Sequence, residues 1–404
     1  MPKLYIIGIG FKPLEDRVKK LLLDVPYIII STRLVEVFKN YEIYPLVKEK
    51  LVLMKSFKET MSFVEEKLKN SNLALLASGD PLYFGIGVKA LEKFGEEQVE
   101  IYPDLNCLQK GLSLIKKPWH QIKTISLHGR AVDFNYLISL LKKEGKVCIL
   151  TDSRNNPSFI AQVLLKKFPQ PEKLTFYVFE RLGYPEEKVF VNKPQIIAKT
   201  KFKDLNFFII NYEFSDDEDI IFGLEEKEIA HQKGMITKDE IRAIVIHKLR
   251  LPEKGIIWDI GAGSGSVSLE IARLNPKLKV YAIEKGNTEL IEKNKNRYYI
   301  SNLEIIKGIA PECLKNLPSP NRVFIGGSGN KLKEILEFLS GISSLKTVVL
   351  TAVTLKTLDT SLKYLRKNFR KVEVFQINVT KLENFQDNLI LKAKNPIFII
   401  RGSR

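Results

Sequence analysis

Cysteine is scarce in this chain: Cys107, Cys148 and Cys313 are the 3 in 404 residues, and they lie far apart with no CxxC pair. That spacing excludes a disulfide framework and a structural zinc site as readings of the sequence, and points to a reducing compartment. His120, His231 and His247 stand at no metal-ligand spacing from one another, so no metal is assigned. Long apolar runs are also missing. Leu21 to Ile30 is interrupted by Asp24 and Pro26, well short of the ~20 apolar residues of a membrane span. The start MPKLYIIGIGFKP enters a strand-like run at once, without the basic region, long apolar stretch and cleavage site of a secretion signal. The expectation is a cytoplasmic protein with no membrane segment. Short-period repeats and low-complexity tracts are absent too.

What is present is length and positive charge. A chain of 404 residues exceeds one ordinary hydrophobic core, so two domains are expected. Hydrophobic residues at 45% with 10% aromatics describe a packed globular protein and exclude disorder. The net charge of +17 is uneven: residues 1–230 carry 34 basic and 31 acidic side chains, net +3, while residues 231–404 carry 30 and 16, net +14. Such a field attracts nucleic acid, an anionic membrane surface or a small polyanion, and composition does not choose among them.

Strand-length apolar runs alternate with amphipathic stretches through the first half: KLYIIGIG, PYIIIS, LALLAS, KVCILT, LTFYVFE and NFFIINYE. That alternation predicts an α/β fold. Between them, Phe57, Met61, Val64 and Leu68 recur at helical spacing as a core-facing stripe. The acidic stretch at 213–230 reads as a linker. Beyond it, Thr237 to Leu249 predicts a helix with Thr237 and Glu240 as a capping box. The strand GIIWDIG, a glycine turn, a helix from Ser266 to Leu274 and the strand KVYAIEK follow. Further strands at 303–307, 322–326, 347–353, 372–379 and 396–401 suit a doubly wound, Rossmann-like sheet.

Asp259-Ile-Gly261-Ala262-Gly263-Ser264-Gly265 lies between strand and helix, where glycines let a ligand approach backbone amides at a helix N-terminus. A dinucleotide fingerprint needs glycine at 266, which is Ser266. GxGxG after an acid favours S-adenosylmethionine, and Glu284, closing the next strand, is placed to accept ribose hydroxyls. Asp259 is either part of that site or a structural turn acid.

The segments GMITKDEIRAIVIHKLRL, WDIGAGSGSVSLEIARL, KVYAIEK, KGIAPECL, FIGGSG, TAVTLKTL and KNPIFII, in this order, resemble the C15-methylating, decarboxylating methyltransferases of corrin biosynthesis over nearly all of 231–404. The resemblance implies a class I methyltransferase domain whose donor site is lined by Thr237, Gly261 to Gly265, Glu284 and Ala310. Gly326, Gly327 and Ser328 then fall where substrate meets donor, or form a plain tight turn.

In the first half, Ser78-Gly79-Asp80-Pro81 follows the strand LALLAS, and Asp-Pro sets a rigid turn. This run, with GIG at 8–10, SLHGR at 126–130, TDSRNNP at 151–157 and FERLGYPEE at 179–187, resembles the tetrapyrrole methylases, and among them the C5-methylating corrin enzymes, across 1–212. The resemblance implies a two-lobed class III fold with Gly79, Asp80 and Pro81 at a second donor site. Two departures stand out. Phe11-Lys12-Pro13 replaces a glycine-rich loop, and Asp104-Leu105-Asn106-Cys107 replaces a glycine with small hydroxyl residues. His128 faces substrate or is held in its own loop, and Arg130 pairs with a substrate carboxylate or sits at a helix start.

The two resemblances together imply a fused, self-associating methyltransferase, with 1–212 and 231–404 as its domains, acting on a polycarboxylate tetrapyrrole and not on nucleic acid. No catalytic residue is assigned. Lys238, Arg242, Lys285 and Lys331 are candidates for the substrate's carboxylates. An RNA methyltransferase, and a C15 enzyme carrying a non-catalytic N-terminal scaffold, stay open as alternatives.

Overall fold

The computed structural model describes residues 1–127, 129, 131–214, 220–232, 234–385 and 388–404. The chain forms two compact units, Met1–Val132 with Leu140–Phe214, and Asp133–Ser139 with Ser215–Arg404.

The first unit holds two sheets. Strands β1 (Leu4–Ile9), β2 (Tyr27–Ile30), β3 (Leu51–Leu53), β4 (Leu73–Ser78) and β5 (Val99–Tyr102) form a parallel sheet in the order β3-β2-β4-β1-β5. β1 is buried along its whole length, as a central parallel strand with both faces covered must be. The second sheet joins β6 (Lys123–Ser126), β7 (Lys146–Leu150), β8 (Leu174–Glu180), β9 (Lys188–Asn192) and β10 (Asn206–Tyr212) in the order β6-β7-β10-β8-β9. Only β6 and β7 pair in parallel there. Helix Phe57–Lys67 starts at a Ser56/Glu59 capping box and buries Met61 and Val64. Phe57 leaves the expected stripe: its ring is half exposed beneath the Lys89 ammonium.

The second unit is built on β11 (Gly255–Ile260), β12 (Leu278–Glu284), β13 (Leu303–Lys307), β14 (Arg322–Ile325), β15 (Thr347–Ala352), β16 (Lys371–Ile377) and β19 (Ile397–Ser403), in the order β13-β12-β11-β14-β15-β19-β16. The first five run parallel, and β19 is antiparallel to both neighbours. A hairpin of β17 (Thr380–Phe385) and β18 (Asn388–Ala393) lies outside this sheet. Chain order reverses between β11 and β14, the crevice where doubly wound sheets bind ligands at their carboxyl ends.

Two expectations are corrected. The linker at 213–230 is too long: Leu224 and Ile229 are buried in the second unit's core, and Leu224 N donates to Glu270 at 2.8 Å. The helix after it runs Asp239–Leu249, with Lys238 at its N-cap and no side-chain cap. Thr237 and Glu240 form no capping box, because Glu240 is drawn to Lys381 at 2.6 Å. Among the described residues no helix is long and apolar enough to cross a membrane.

Candidate functional site

In the second unit the glycine turn leaves β11 at the crevice, with Gly261, Gly263 and Gly265 at φ 71°, 57° and 76°. A Cβ on Gly261 would lie 2.3 Å from the Gly327 carbonyl oxygen and 2.6 Å from its N and Cα, so the two glycine loops touch backbone to backbone. Gly326 and Gly327 N both donate to the Ile260 carbonyl, at 2.9 and 3.3 Å. At Gly263 the opposite holds, for a Cβ there would meet nothing within 4 Å. The turn opens at this point, just before helix Ser266–Leu274, whose first amides have no partners inside the helix.

Glu284 is oriented by backbone. Its Oε2 accepts from Gly263 N and its Oε1 from Gly286 N, both at 2.8 Å. A carboxylate has about four lone-pair sites, so two remain for hydroxyl donors. Asp259, 1% exposed, is turned inward: its Oδ2 accepts from Ser268 N at 3.0 Å and Oγ at 2.5 Å. Its Oδ1 and the Ser264 Oγ are buried without hydrogen-bond partners among the described residues. Burial pushes the Asp259 carboxyl up to about 6 against those two hydrogen bonds.

Ala310 packs in the same apolar cluster as Ile260 and Ile283, and Gly308 N donates to the Glu284 carbonyl at 3.0 Å. The glycine turn, Glu284, Ala310 and Gly326 to Ser328 are thus brought together. The Thr237 carbonyl accepts from Arg242 at 3.0 Å, which holds this residue to the helix Asp239–Leu249. Arg242 is no surface cation: it is 1% exposed, reaches Glu270 at 3.4 Å and donates to the Leu224 carbonyl. Lys238 and Lys331 are paired with Glu226 and Glu312 at 2.6 and 2.5 Å. Lys285 alone of the four has no ion pair among the described residues, and its Nζ lies 3.3 Å from where a Cβ on Gly329 would stand. Sequence reasoning missed Asn294, a buried amide donating to the Ser264 and Ala230 carbonyls, each at 2.9 Å. Nothing in the polar run around it signals burial.

In the first unit, Gly79 and Asp80 line a cavity of about 300 Å³ with Phe11, Ser78, Tyr83 and Thr151. Gly79 has φ 63°, and a Cβ there would meet the Leu105 carbonyl oxygen at 2.8 Å. Asp80 Oδ1 accepts from Leu82 N at 2.8 Å, fixing the turn through the buried Pro81. The two departing segments meet: Asp104 accepts from Phe11 N at 2.7 Å, Lys12 N at 3.2 Å and Leu105 N at 2.6 Å. Cys107 also lines the cavity, and burial pushes its thiol up to about 12. His128 and Arg130 lie outside the described residues.

Residues 3–196 match the tetrapyrrole (corrin/porphyrin) methylases and residues 228–401 the precorrin methyltransferase domain. A precorrin-6Y C(5,15)-methyltransferase (decarboxylating) from Sinorhizobium sp is 27% identical over 87% of this chain and 85% of that protein. A probable cobalt-precorrin-6B C(15)-methyltransferase (decarboxylating) from Sulfurisphaera tokodaii is 35% identical over 45% of this chain and 96% of its own. A solved precorrin-6Y C5,15-methyltransferase from Geobacter metallireducens is 37% identical, with 46% of this chain and 100% of that one covered and a TM-score of 0.44. With a methylase domain matched in one unit and a decarboxylating C15 relative matched in the other, the chain belongs to the S-adenosylmethionine-dependent precorrin methyltransferases of the C5,15, decarboxylating type.

Proposed function

We propose that this chain methylates C5 and C15 of a precorrin-6B-type macrocycle, or its cobalt form, and removes the carboxyl of the ring C acetate, in cytoplasmic cobalamin biosynthesis. The carrying observation is that one chain holds two unlike sites, a glycine cradle beside Glu284 and a cavity at Gly79-Asp80-Pro81, one in the half similar to tetrapyrrole methylases and one in the half similar to precorrin methyltransferases. Residues 1–212 carry the C5 step and 231–404 the C15 step with decarboxylation.

Bound S-adenosylmethionine supplies an activated methyl group. Gly261, Ala262, Gly263, Ser264, Gly265, Glu284, Ala310 and Thr237 would hold it in the second unit. The open side of Gly263, the two spare Glu284 lone pairs and the unpartnered Ser264 hydroxyl fit such a guest. Gly79, Asp80 and Pro81 would hold it in the first.

The protein's own work is positioning, which supplies much of the rate when reacting groups are held in near-attack geometry. A partly reduced macrocycle is electron-rich at its meso carbons, so no side chain has to remove a proton before the attack; the carbon–methyl bond forms as the sulfur–methyl bond breaks, and the proton displaced from the meso carbon passes to solvent. Loss of carbon dioxide leaves an electron pair that the conjugated ring takes up. The chain then has to shape a cleft and let an acid or water deliver one proton. We also propose that the chain self-associates.

Mass spectrometry of the product formed from a precorrin-6B-type substrate tests the reading. Two added methyls with loss of carbon dioxide are expected, from a chain that binds two donors. One methyl and one donor site in the second unit would leave a C15 enzyme with a non-catalytic N-terminal half. Methylated RNA would overturn the assignment.

A further inference from the structure

We propose that the carboxyl edge of the second unit's sheet is an amphipathic shelf for the macrocycle, with Val353, Leu355 and Ile309 under its ring face and Lys285, Lys307 and Lys356 at its carboxylates. This rests on the function proposed above and names the side chains that meet the substrate.

Five parallel strands end on this edge, so the residues that follow them share it. After β15 come Val353 and Leu355, each 75% exposed, and after β13 comes Ile309, 53% exposed. Large aliphatic side chains grouped at a ligand-binding edge mark a contact surface, whereas isolated ones need no explanation. Their exposure is built in. Thr354 caps helix Leu355–Asn368, accepting from Thr357 N at 3.2 Å, and so fixes the backbone on both sides of itself.

Register brings these residues to the cradle. Ile325 pairs with Leu350, so the Gly326–Ser328 loop and Val353 leave adjacent strands together. On the other flank, the bond from Gly308 N to the Glu284 carbonyl sets Ile309 beside the acid. The apolar residues thus bracket the glycine loops.

The lysines share the edge. Lys285 follows β12, Lys307 ends β13, and Lys356 lies in the first turn of the capped helix. None has an ion pair among the described residues. Lys356 sits at a helix N-terminus with no acid in the first turn, where the helix dipole disfavours a cation. A flat apolar ligand edged with carboxylates would cover the aliphatic groups and neutralise the ammonium groups at once.

Equilibrium dialysis of a precorrin-6B-type macrocycle against the intact chain tests this, at low and high salt. Alongside run the V353S/L355S double variant and the K285Q/K307Q/K356Q triple variant, with donor titration and thermal melting as controls. The double variant should bind the macrocycle at least ~10-fold more weakly, from the aliphatic area it no longer buries. It should keep the parent's salt dependence, donor binding and melting temperature. The triple variant should weaken binding at low salt and lose the salt dependence. A double variant that binds like the parent, or that melts several degrees lower, overturns the shelf. A parent that binds no macrocycle overturns the functional reading and the shelf with it.

Discussion

Alanine at Gly261 and at Gly263 should separate folding from donor binding within one turn. Both glycines have left-handed φ, 71° and 57°, so either alanine costs roughly 1–2 kcal/mol of backbone strain. At Gly263 that is the whole cost, because the new methyl meets nothing within 4 Å. At Gly261 the methyl overlaps three backbone atoms of Gly327 at 2.3 to 2.6 Å. No side chain can rotate away, and the two loops are tied through the Ile260 carbonyl. Parting them adds about 1–3 kcal/mol of overpacking.

Gly263→Ala should therefore melt within a few degrees of the parent, and Gly261→Ala clearly lower. Donor affinity should behave differently. The Gly263 methyl projects into the open side of the cradle, so Gly263→Ala should lower the intact chain's calorimetric stoichiometry for S-adenosylmethionine from two to one. Two-site binding by Gly263→Ala would show that the donor does not use this opening. Equal melting of the two variants would refute the backbone packing of the loops.

Three further outcomes follow from buried charge. Asp259 titrates near 6 instead of the ordinary 3.8, so the folded state holds its proton more tightly than the unfolded one. Its contribution makes stability fall as pH rises from about 4 to about 6 and then level off; urea titrations should show Asp259→Asn lacking that slope. Asp104→Ala removes a buried acceptor of three amides and should cost about 2–4 kcal/mol, read as earlier denaturation of the first unit with the second unchanged. Arg242→Met leaves Glu270 without its nearest buried cation and should cost about 3–5 kcal/mol. It should also weaken donor binding at the second unit, since Arg242 holds the Thr237 carbonyl; unchanged affinity would remove Thr237 from the donor site.

The sequence was most legible where burial is greatest. β1, β4, β11 and β12 are central strands, so each reads as a near-continuous apolar run. In the first unit the strands that went unread, β3, β5, β6 and β9, are the four edges of its two sheets. An edge strand is short and half solvated, and Lys188–Asn192 has no buried residue. The hairpin escaped for the same reason, β18 being exposed throughout. In the site, glycines were legible because a positive φ at a strand-to-helix turn leaves few alternatives. Arg242 was misread because a buried arginine and a surface arginine look alike until Glu270, on another helix, is brought beside it. Asn294 was unreadable because its partners, at 230 and 264, are backbone groups.

The two departures from the tetrapyrrole-methylase pattern are one change. Phe11 and Asp104 lie far apart in sequence, yet the buried Asp104 carboxylate takes the amides of Phe11 and Lys12 as well as that of Leu105. The bond sets the Phe11 ring between two glycines, since a Cβ on Gly79 or Gly183 would stand 3.5 or 3.2 Å from its edge. A site decaying without selection accumulates unpaired polar groups, because each lost partner leaves a desolvated one behind. Here every oxygen of the new carboxylate is satisfied, and the aromatic ring lines a cavity that still stands open beside Gly79 and Asp80. That pairing argues for a remodelled loop rather than an abandoned one, and it supports the proposal that the first unit carries the C5 step.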